Sequence, residues 1–367
     1  MRGLTLGSDN KPTSDTIFRL LCNSSEVLFP KLEWLRWCMW ETSPALPFSR
    51  LFLPPHLKRL TLYANPYPDP SPPHQLETIA QMVSFLPTSL EDLIIHSGYS
   101  EEKVVQDAVS SFICRCGPSL RSFDTWVPIS EAAIYHLIQL PNLSNWNAIQ
   151  GPPETIPASI LPSIEDIRLD KPEHLPWLHL LTSHTNIKLK SLDLPPSSSI
   201  GSALLSCVMQ FRNLVTLHVG AHYPACTEIC LFRLTDDDME NLVTALPRLQ
   251  SLLLGRPCHH NSCNTTVASL VSISVHCLDL VALETHFNTQ TIVGDMKRLL
   301  DGGAGRDKAK CKIESLSVWG LPLEIRDEDT ETVATGFKDI FPHLKNFGHF
   351  GTVRWVQLGF RLEDRGT

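Results

Sequence analysis

A phrase of about ten residues recurs along this chain, and no other feature limits the possible folds so strongly. "LPRLQSLLLG" begins at Leu246. Variants begin at Phe29 ("FPKLEWLRW"), Pro54 ("PPHLKRLTLY"), Leu161 ("LPSIEDIRLD") and Phe341 ("FPHLKNFGHF"). Each phrase has a leucine or isoleucine anchor shortly after a proline-like position. The anchors are Leu32, Leu57, Leu90, Leu120, Leu143, Ile164, Leu189, Leu214, Leu249, Leu280, Ile313 and Leu344. Three residues beyond them stand Leu35, Leu60, Leu93, Phe123, Trp146, Ile167, Leu192, Leu217, Leu252, Leu283, Leu316 and Phe347. All twelve are large and apolar, where a composition 43% hydrophobic gives roughly five by chance. Five residues beyond the anchor the rule weakens, at Thr125, Thr285 and His349.

Within a phrase, apolar and polar residues alternate, as in Leu-Lys-Arg-Leu-Thr-Leu from Leu57. Alternation predicts a short strand with one buried and one solvated face. Between phrases the spacing becomes helical: QLETIAQMVSFL, EEKVVQDAVSSFICRC, SEAAIYHLIQL and DDDMENLVTAL place apolar residues three and four apart. The anchors lie 21 to 35 residues apart, so the unit is strand, loop, helix, then the next strand. Strands joined by such crossovers run parallel. One unit cannot bury its own apolar face, but stacked units can. The expected fold is an α/β solenoid of about twelve or thirteen irregular repeats, with a curved parallel sheet on the concave face and helices on the convex face.

Strand alternation then assigns the open, concave face to the positions two, four and six beyond each anchor. The expected protein-binding residues there are Trp34, Arg36, Arg59, Tyr63, His96, Asp124, Trp126, Asp166, Arg168, Asp170, His218, Glu284, His286 and Trp319. Aromatic side chains beside Arg and Asp are typical of binding hot spots. The stretch from Asp124 to His218, in the middle of the array, is the expected centre of the surface. The solenoid is expected over 1–350, with 351–367 as a C-terminal cap or tail. Met1–Gly7 fits the phrase with Met1 as anchor. A solenoid hides its first apolar layer under a cap, so this start calls for further chain upstream or a partner at that end.

Charge and cysteine usage exclude several classes. Only 19% of residues are charged and the net charge is -8, without a basic run. A nucleic-acid track or a membrane patch needs clustered Lys and Arg, so neither partner is expected. No apolar run approaches the roughly eighteen residues of a transmembrane helix. The N-terminus lacks the apolar centre of a signal peptide. Eleven cysteines are scattered without a framework spacing, which predicts reduced, mostly buried thiols in the cytoplasm or nucleus.

Candidate chemistry is sparse. Cys258-His259-His260-Asn261-Ser262-Cys263 is the densest cluster, with Cys226, Cys230, His276 and Cys277 elsewhere. It lacks the paired spacings of a zinc site, so loop histidines and helix-proximal cysteines are expected and no metal. Asp301-Gly302-Gly303-Ala304-Gly305-Arg306-Asp307-Lys308 follows a helical stretch and precedes a strand, the reverse of a phosphate cradle. Thr235 followed by Asp236, Asp237 and Asp238 reads as a helix N-terminus. The proline-rich run from Pro66 to Pro73 reads as a joint between repeats. No nucleophile or metalloprotease motif occurs. The expectation is a chain without catalytic residues or cofactor.

The recurring phrase resembles the leucine-rich-repeat family over roughly residues 1 to 350. Longer spacings, and the near absence of that family's turn-closing asparagine, imply irregular repeats with full helices. The stretches DTIFRLLCNSSEVLFPKLEWLRW from Asp15, LFLPPHLKRLTL from Leu51, ISEAAIYHLIQLPNL from Ile129 and LTDDDMENLVTALPRLQSLLLG from Leu234 resemble fungal F-box proteins with leucine-rich repeats. In that family an F-box docks onto the Skp adaptor of a cullin-type (SCF) ubiquitin ligase and the repeats hold the substrate. No F-box opening is recognisable here. The resemblance therefore implies a non-enzymatic substrate-binding module, with Skp as partner only if an F-box lies upstream of Met1. The alternative is a standalone repeat scaffold with no ubiquitin role.

Overall fold

A computed structural model describes residues 2–6, 27–39, 50–64, 73–96, 103–148, 164–169, 176–182, 188–194, 202–220, 234–255, 264–302, 311–319 and 327–349. The chain divides into two compact units. The first comprises Met1–Leu169 and Ser183–Lys188, the second Asp170–Thr182 and Leu189–Thr367. The first unit holds strands β1 (Gly3–Leu6), β2 (Trp34–Met39), β3 (Arg59–Ala64), β4 (Asp92–His96), β5 (Ser122–Thr125), β6 (Asn145–Ala148) and β7 (Asp166–Leu169). Its described helices are α1 (Pro73–Ser84), α2 (Lys103–Arg115) and α3 (Glu131–Ile138). The second unit holds β8 (Ser191–Leu194), β9 (Thr216–Val219), β10 (Ser251–Leu254), β11 (Ala282–His286), β12 (Ser315–Trp319) and β13 (Asn346–His349). Its described helices are α4 (Pro176–Thr182), α5 (Ser202–Val208), α6 (Asp236–Ala245), α7 (Val267–His276), α8 (Ile292–Gly302) and α9 (Asp327–Ile340). The strands follow one another in a thirteen-stranded sheet in the order of the sequence. This is the leucine-rich-repeat solenoid architecture that the recurring phrase predicts.

The predicted register is the observed one. In the first unit Leu4, Leu35, Leu60, Leu93, Phe123, Trp146 and Ile167 are successive partners across parallel strands. In the second unit Leu192, Leu217, Leu252, Leu283, Leu316 and Phe347 do the same. All twelve of the predicted positions are at most 5% exposed. Burying each leucine contributes about 1.5–3 kcal/mol. Leu4 and Leu6, in the edge strand β1, are only half-buried. Thr125 and Thr285 break the apolar rule yet are buried at the same place as their neighbours' fifth-position residues. Thr125 is accommodated locally, because its hydroxyl accepts the Val127 N–H at 2.9 Å and so is not left unpaired.

Most of the described strands also begin in the same way. Two successive N–H groups donate to one carbonyl of the preceding repeat: Lys58 and Arg59 to Glu33, Glu91 and Asp92 to Lys58, Arg121 and Ser122 to Glu91. The second unit repeats the device at Gln250 and Ser251 on Val215, and at Val281 and Ala282 on Gln250. A carbonyl has two lone pairs and here uses both, which fixes the register before the first core residue. Where the asparagine of the family pattern is missing, glycine closes two of the turns. Gly220 and Gly255 follow β9 and β10 with φ of 76° and 79°, a left-handed backbone that glycine adopts without strain. Their N–H groups donate to Leu194 and Val219 at 2.8 and 2.7 Å.

The helices bury one stripe each against the sheet. In α2 that stripe is Val105, Val109, Phe112 and Ile113, spaced as an amphipathic helix requires. Helix α6 starts where the acidic run predicts. Thr235 is its N-cap, and Asp238 completes a reciprocal capping box. Asp236 does more than fill an acidic first turn. It accepts the Thr266 N–H and hydroxyl, each at 2.7 Å, and the Ser269 hydroxyl. Thr266 is itself the N-cap of α7, so one carboxylate ties two consecutive helix starts together.

Candidate functional site

Burial alternates along most of the strands, with the buried Asn147 of β6 an exception. Residues at the third and fifth positions are buried, and those between them are half-buried or exposed, as in β4, β5, β7, β8, β9 and β10. The even positions therefore occupy the face of the sheet turned away from the helices. In the first unit this open face carries a ladder of polar and aromatic side chains running from β2 to β6.

The ladder begins at Arg36, whose guanidinium carbon lies 5.0 Å from the centre of the Tyr63 ring, a cation–π approach. Tyr63 meets His96 edge-on, with ring centres 5.3 Å apart. His96 stacks on Trp126 at 4.4 Å, the two planes within 9°. Below this stack, Asp124 Oδ1 accepts an amide N–H of Asn147 at 2.8 Å. The same oxygen lies 2.9 Å from His96 Nε2. The histidine nitrogen is buried but not aligned for a hydrogen bond along that line, so the contact is a close electrostatic approach. An ionised carboxylate only accepts, so Asn147 must present its NH2 group to Asp124. Its carbonyl oxygen is then left buried, with no hydrogen-bond partner among the described residues, although Asn147 is only 8% exposed overall.

Of the predicted surface residues, this geometry brings together Arg36, Tyr63, His96, Asp124 and Trp126. Trp34 shares the face but stands apart, 43% exposed. Its indole covers Gly3, where a Cβ would fall 1.8 Å from Cε2. Arg59 pairs with Asp92 at 2.8 Å. Burial pushes the Asp92 carboxyl above its ordinary value despite the attraction of Arg59. Asp166 and Arg168 are half-buried on β7, and both have further partners. In the second unit, His218 Nε2 lies 3.2 Å from Ser251 Oγ, and Glu284 is half-buried on β11. His286 and Trp319 are strand residues whose side chains lie outside the described set, and Asp170 lies outside it altogether.

Asn147 and Asp92 are among the open-face residues absent from the predicted set. Asn147 stands four residues beyond Leu143, and Asp92 two beyond Leu90. The offset rule points to both. What it lacks is a reason to prefer them over the solvated polar residues at equivalent positions.

Other reactive groups have structural explanations. Cys116, Cys277 and Cys311 are buried, and burial pushes their thiols up to about 12, about 12 and about 11. The Cys277 and Cys311 thiols point at backbone carbonyls of the preceding repeat. Cys207 Sγ lies 3.0 Å from His179 Nδ1, but desolvation raises this thiol too, the opposite of an activated nucleophile. The cluster Cys258–Cys263, with Cys226 and Cys230, falls outside the described residues. Among the described residues, no group of three or more His, Cys, Asp or Glu is placed to hold a metal, and no helix is long and apolar enough to cross a membrane.

No protein-family model matches the chain, and no curated protein does. Solved structures do match. A chain of the yeast Rad7 and Elc1 complex is 17% identical, with 91% of this chain and 75% of that chain covered and a TM-score of 0.44. A protein from Bacteroides fragilis is 10% identical, with 95% and 74% covered and a TM-score of 0.27. At these values neither likeness bears on what this chain does.

Proposed function

We propose that this chain is a non-enzymatic protein-interaction module that recognises a protein partner on the open face of its sheet. The observation that carries the reading is the ladder Arg36–Tyr63–His96–Trp126 with Asp124 and Asn147. Six side chains from five consecutive strands are organised on a face that contributes nothing to the helix-side core. Aromatic and arginine side chains held in place by neighbours are what binding hot spots consist of. The raised thiols argue for structural cysteines in place of nucleophiles. The resemblance to F-box repeat proteins favours the role of substrate holder for a cullin-type ubiquitin ligase, with transfer carried out by other subunits.

The test is charge reversal on the face. Arg36→Glu, Asp166→Arg and Arg168→Asp, combined in one variant, should abolish capture of a partner identified with the wild-type chain. The melting temperature should stay within a few degrees. Capture that survives these changes but is lost on altering a helix-face residue such as Lys103 would overturn the reading. Recovery of a Skp adaptor with a chain extended by its own upstream coding sequence would separate the ligase role from that of a standalone scaffold.

A further inference from the structure

The aromatic ladder has two ends, and they differ. At the β2 end, a cation from the chain itself, Arg36, covers the Tyr63 ring. At the β5 end, Trp126 has one face against His96, and among the described residues no ring or cation lies against the other. Beside this end is the one carboxylate of the ladder. Asp124 is 23% exposed at its side chain, and among the described residues its partners are the amide of Asn147 and the ring of His96. In the next strand, the Asn147 carbonyl oxygen is buried and has no hydrogen-bond partner among the described residues. The open end thus gathers an indole face, a carboxylate and a spare amide oxygen. Its accessible acceptor is the Asp124 carboxylate, while the Asn147 oxygen is buried; Arg168, the strand partner of Asn147 on β7, is half-buried and has partners of its own.

We infer that this end of the ladder takes an arginine side chain from the protein partner. The inference rests on the proposed open-face recognition and names the chemistry of its central contact. The argument is charge complementarity. A guanidinium is planar, always charged and carries five N–H donors. It can stack on an indole face while donating in its plane to a carboxylate. The spare Asn147 oxygen adds to the same potential, because Asp124 holds the amide with its carbonyl turned away. Arg36 on Tyr63 shows, within the same ladder, that a guanidinium fits against these rings. The net charge of -8 draws a basic segment toward the surface at low salt. A lysine ammonium offers the charge without the planar donor set, and an acidic or neutral partner group would leave the acceptors unsatisfied.

The experiment uses the full chain and three synthetic peptides, acetyl-Gly-Xaa-Gly-amide with Xaa arginine, citrulline or lysine. The readout is NMR of the Trp126 indole N–H and the Asn147 side-chain amide, assigned through Trp126→Phe and Asn147→Asp. The arginine peptide should shift both signals saturably. Citrulline keeps the planar shape but has no charge, and should bind at least about tenfold more weakly, with lysine between the two. Asp124→Asn, close to isosteric, should reduce arginine binding by a similar factor. The inference is overturned if citrulline matches arginine, if neither signal moves, or if Asp124→Asn leaves the titration unchanged. The citrulline comparison is made on wild-type protein, so a misfolded variant cannot obscure it. Failure here with partner capture still lost on the Arg36, Asp166 and Arg168 reversals removes the arginine contact alone. Arginine binding with capture unaffected by those reversals removes the broader reading instead.

Discussion

The two units bury nearly the same residues and display different ones. On the helix side, the first unit stacks Leu35, Leu60, Leu93, Phe123, Trp146 and Ile167 and the second Leu192, Leu217, Leu252, Leu283, Leu316 and Phe347. On the open side the likeness ends. Two residues beyond the anchor, the first unit has Trp34, Arg59, Asp92, Ser122, Asn145 and Asp166, where the second has Ser191, Thr216, Ser251, Ala282, Ser315 and Asn346. Six beyond it, the first unit has Tyr63, His96 and Trp126; in the second, β9 and β10 are followed by Gly220 and Gly255, while β11 and β12 end on His286 and Trp319, whose side chains lie outside the described set. The core positions are constrained by packing density, which tolerates little change of volume. The open face is free of that constraint, so its residues can differ between units without cost to the fold. Among the described side chains, the connected aromatic contacts of the open face, from Tyr63 through His96 to Trp126, lie in the first unit.

The comparison breaks first at the core, where the largest effects are expected. Leu60→Ala in the first unit and Leu217→Ala in the second should each destabilise by about 2–5 kcal/mol, as measured by chemical denaturation. The two losses should be alike, because both leucines are about 1% exposed and occupy the same rung. A full loss in one unit beside a loss under about 1 kcal/mol in the other would show that the two cores are not equivalent.

Much of this was readable before any coordinates. The third-position residues, the parallel order, the alternation of faces and the Thr235 helix start follow from periods of two and 3.6 and from capping chemistry. Three things did not follow. Thr125 looks like a break in the pattern, because a local hydrogen bond that hides a hydroxyl leaves no trace in composition. Asp236 looks like one more acidic residue in a first turn, because its partners Thr266 and Ser269 come from the next repeat. Strand alternation assigns residues to a face, but it does not separate the connected ladder from members such as Trp34 that lie outside it. Contacts between side chains thirty residues apart depend on rotamers, which spacing does not encode.

A second, smaller contrast lies at the helix junctions. In the second unit the Asp236 carboxylate joins the starts of α6 and α7 with charge-assisted bonds. In the first unit the corresponding tie is neutral: the Ser130 N–H, at the start of α3, donates to the Ser110 hydroxyl of α2 at 2.8 Å. Hydrogen bonds to charged groups contribute about 1.5–3 kcal/mol and neutral ones about 0.5–1.5 kcal/mol. Asp236→Ala should therefore destabilise by roughly twice as much as Ser110→Ala. Equal losses would mean that the second unit's junction is held by helix packing and the carboxylate adds little.

The smallest effects separate the open faces themselves, and a double-mutant cycle isolates them from burial. In the first unit, His96 and Trp126 stack at 4.4 Å and are both half-buried. Replacing each with alanine, singly and together, should give a coupling of about 0.5–1.5 kcal/mol, the range for aromatic pairs beyond their buried area. In the second unit, His218 and Ser251 touch at 3.2 Å through one nitrogen and one hydroxyl. Both are half-buried on the open face, where water competes for the same polar groups. Their coupling should stay below about 0.5 kcal/mol. Measured by urea denaturation, a coupling at His218–Ser251 equal to that at His96–Trp126 would place an ordered polar network on both units. Recognition would then have no reason to concentrate on the first. The expected inequality instead means that the ladder is fixed before a partner arrives, so that binding loses little side-chain freedom there.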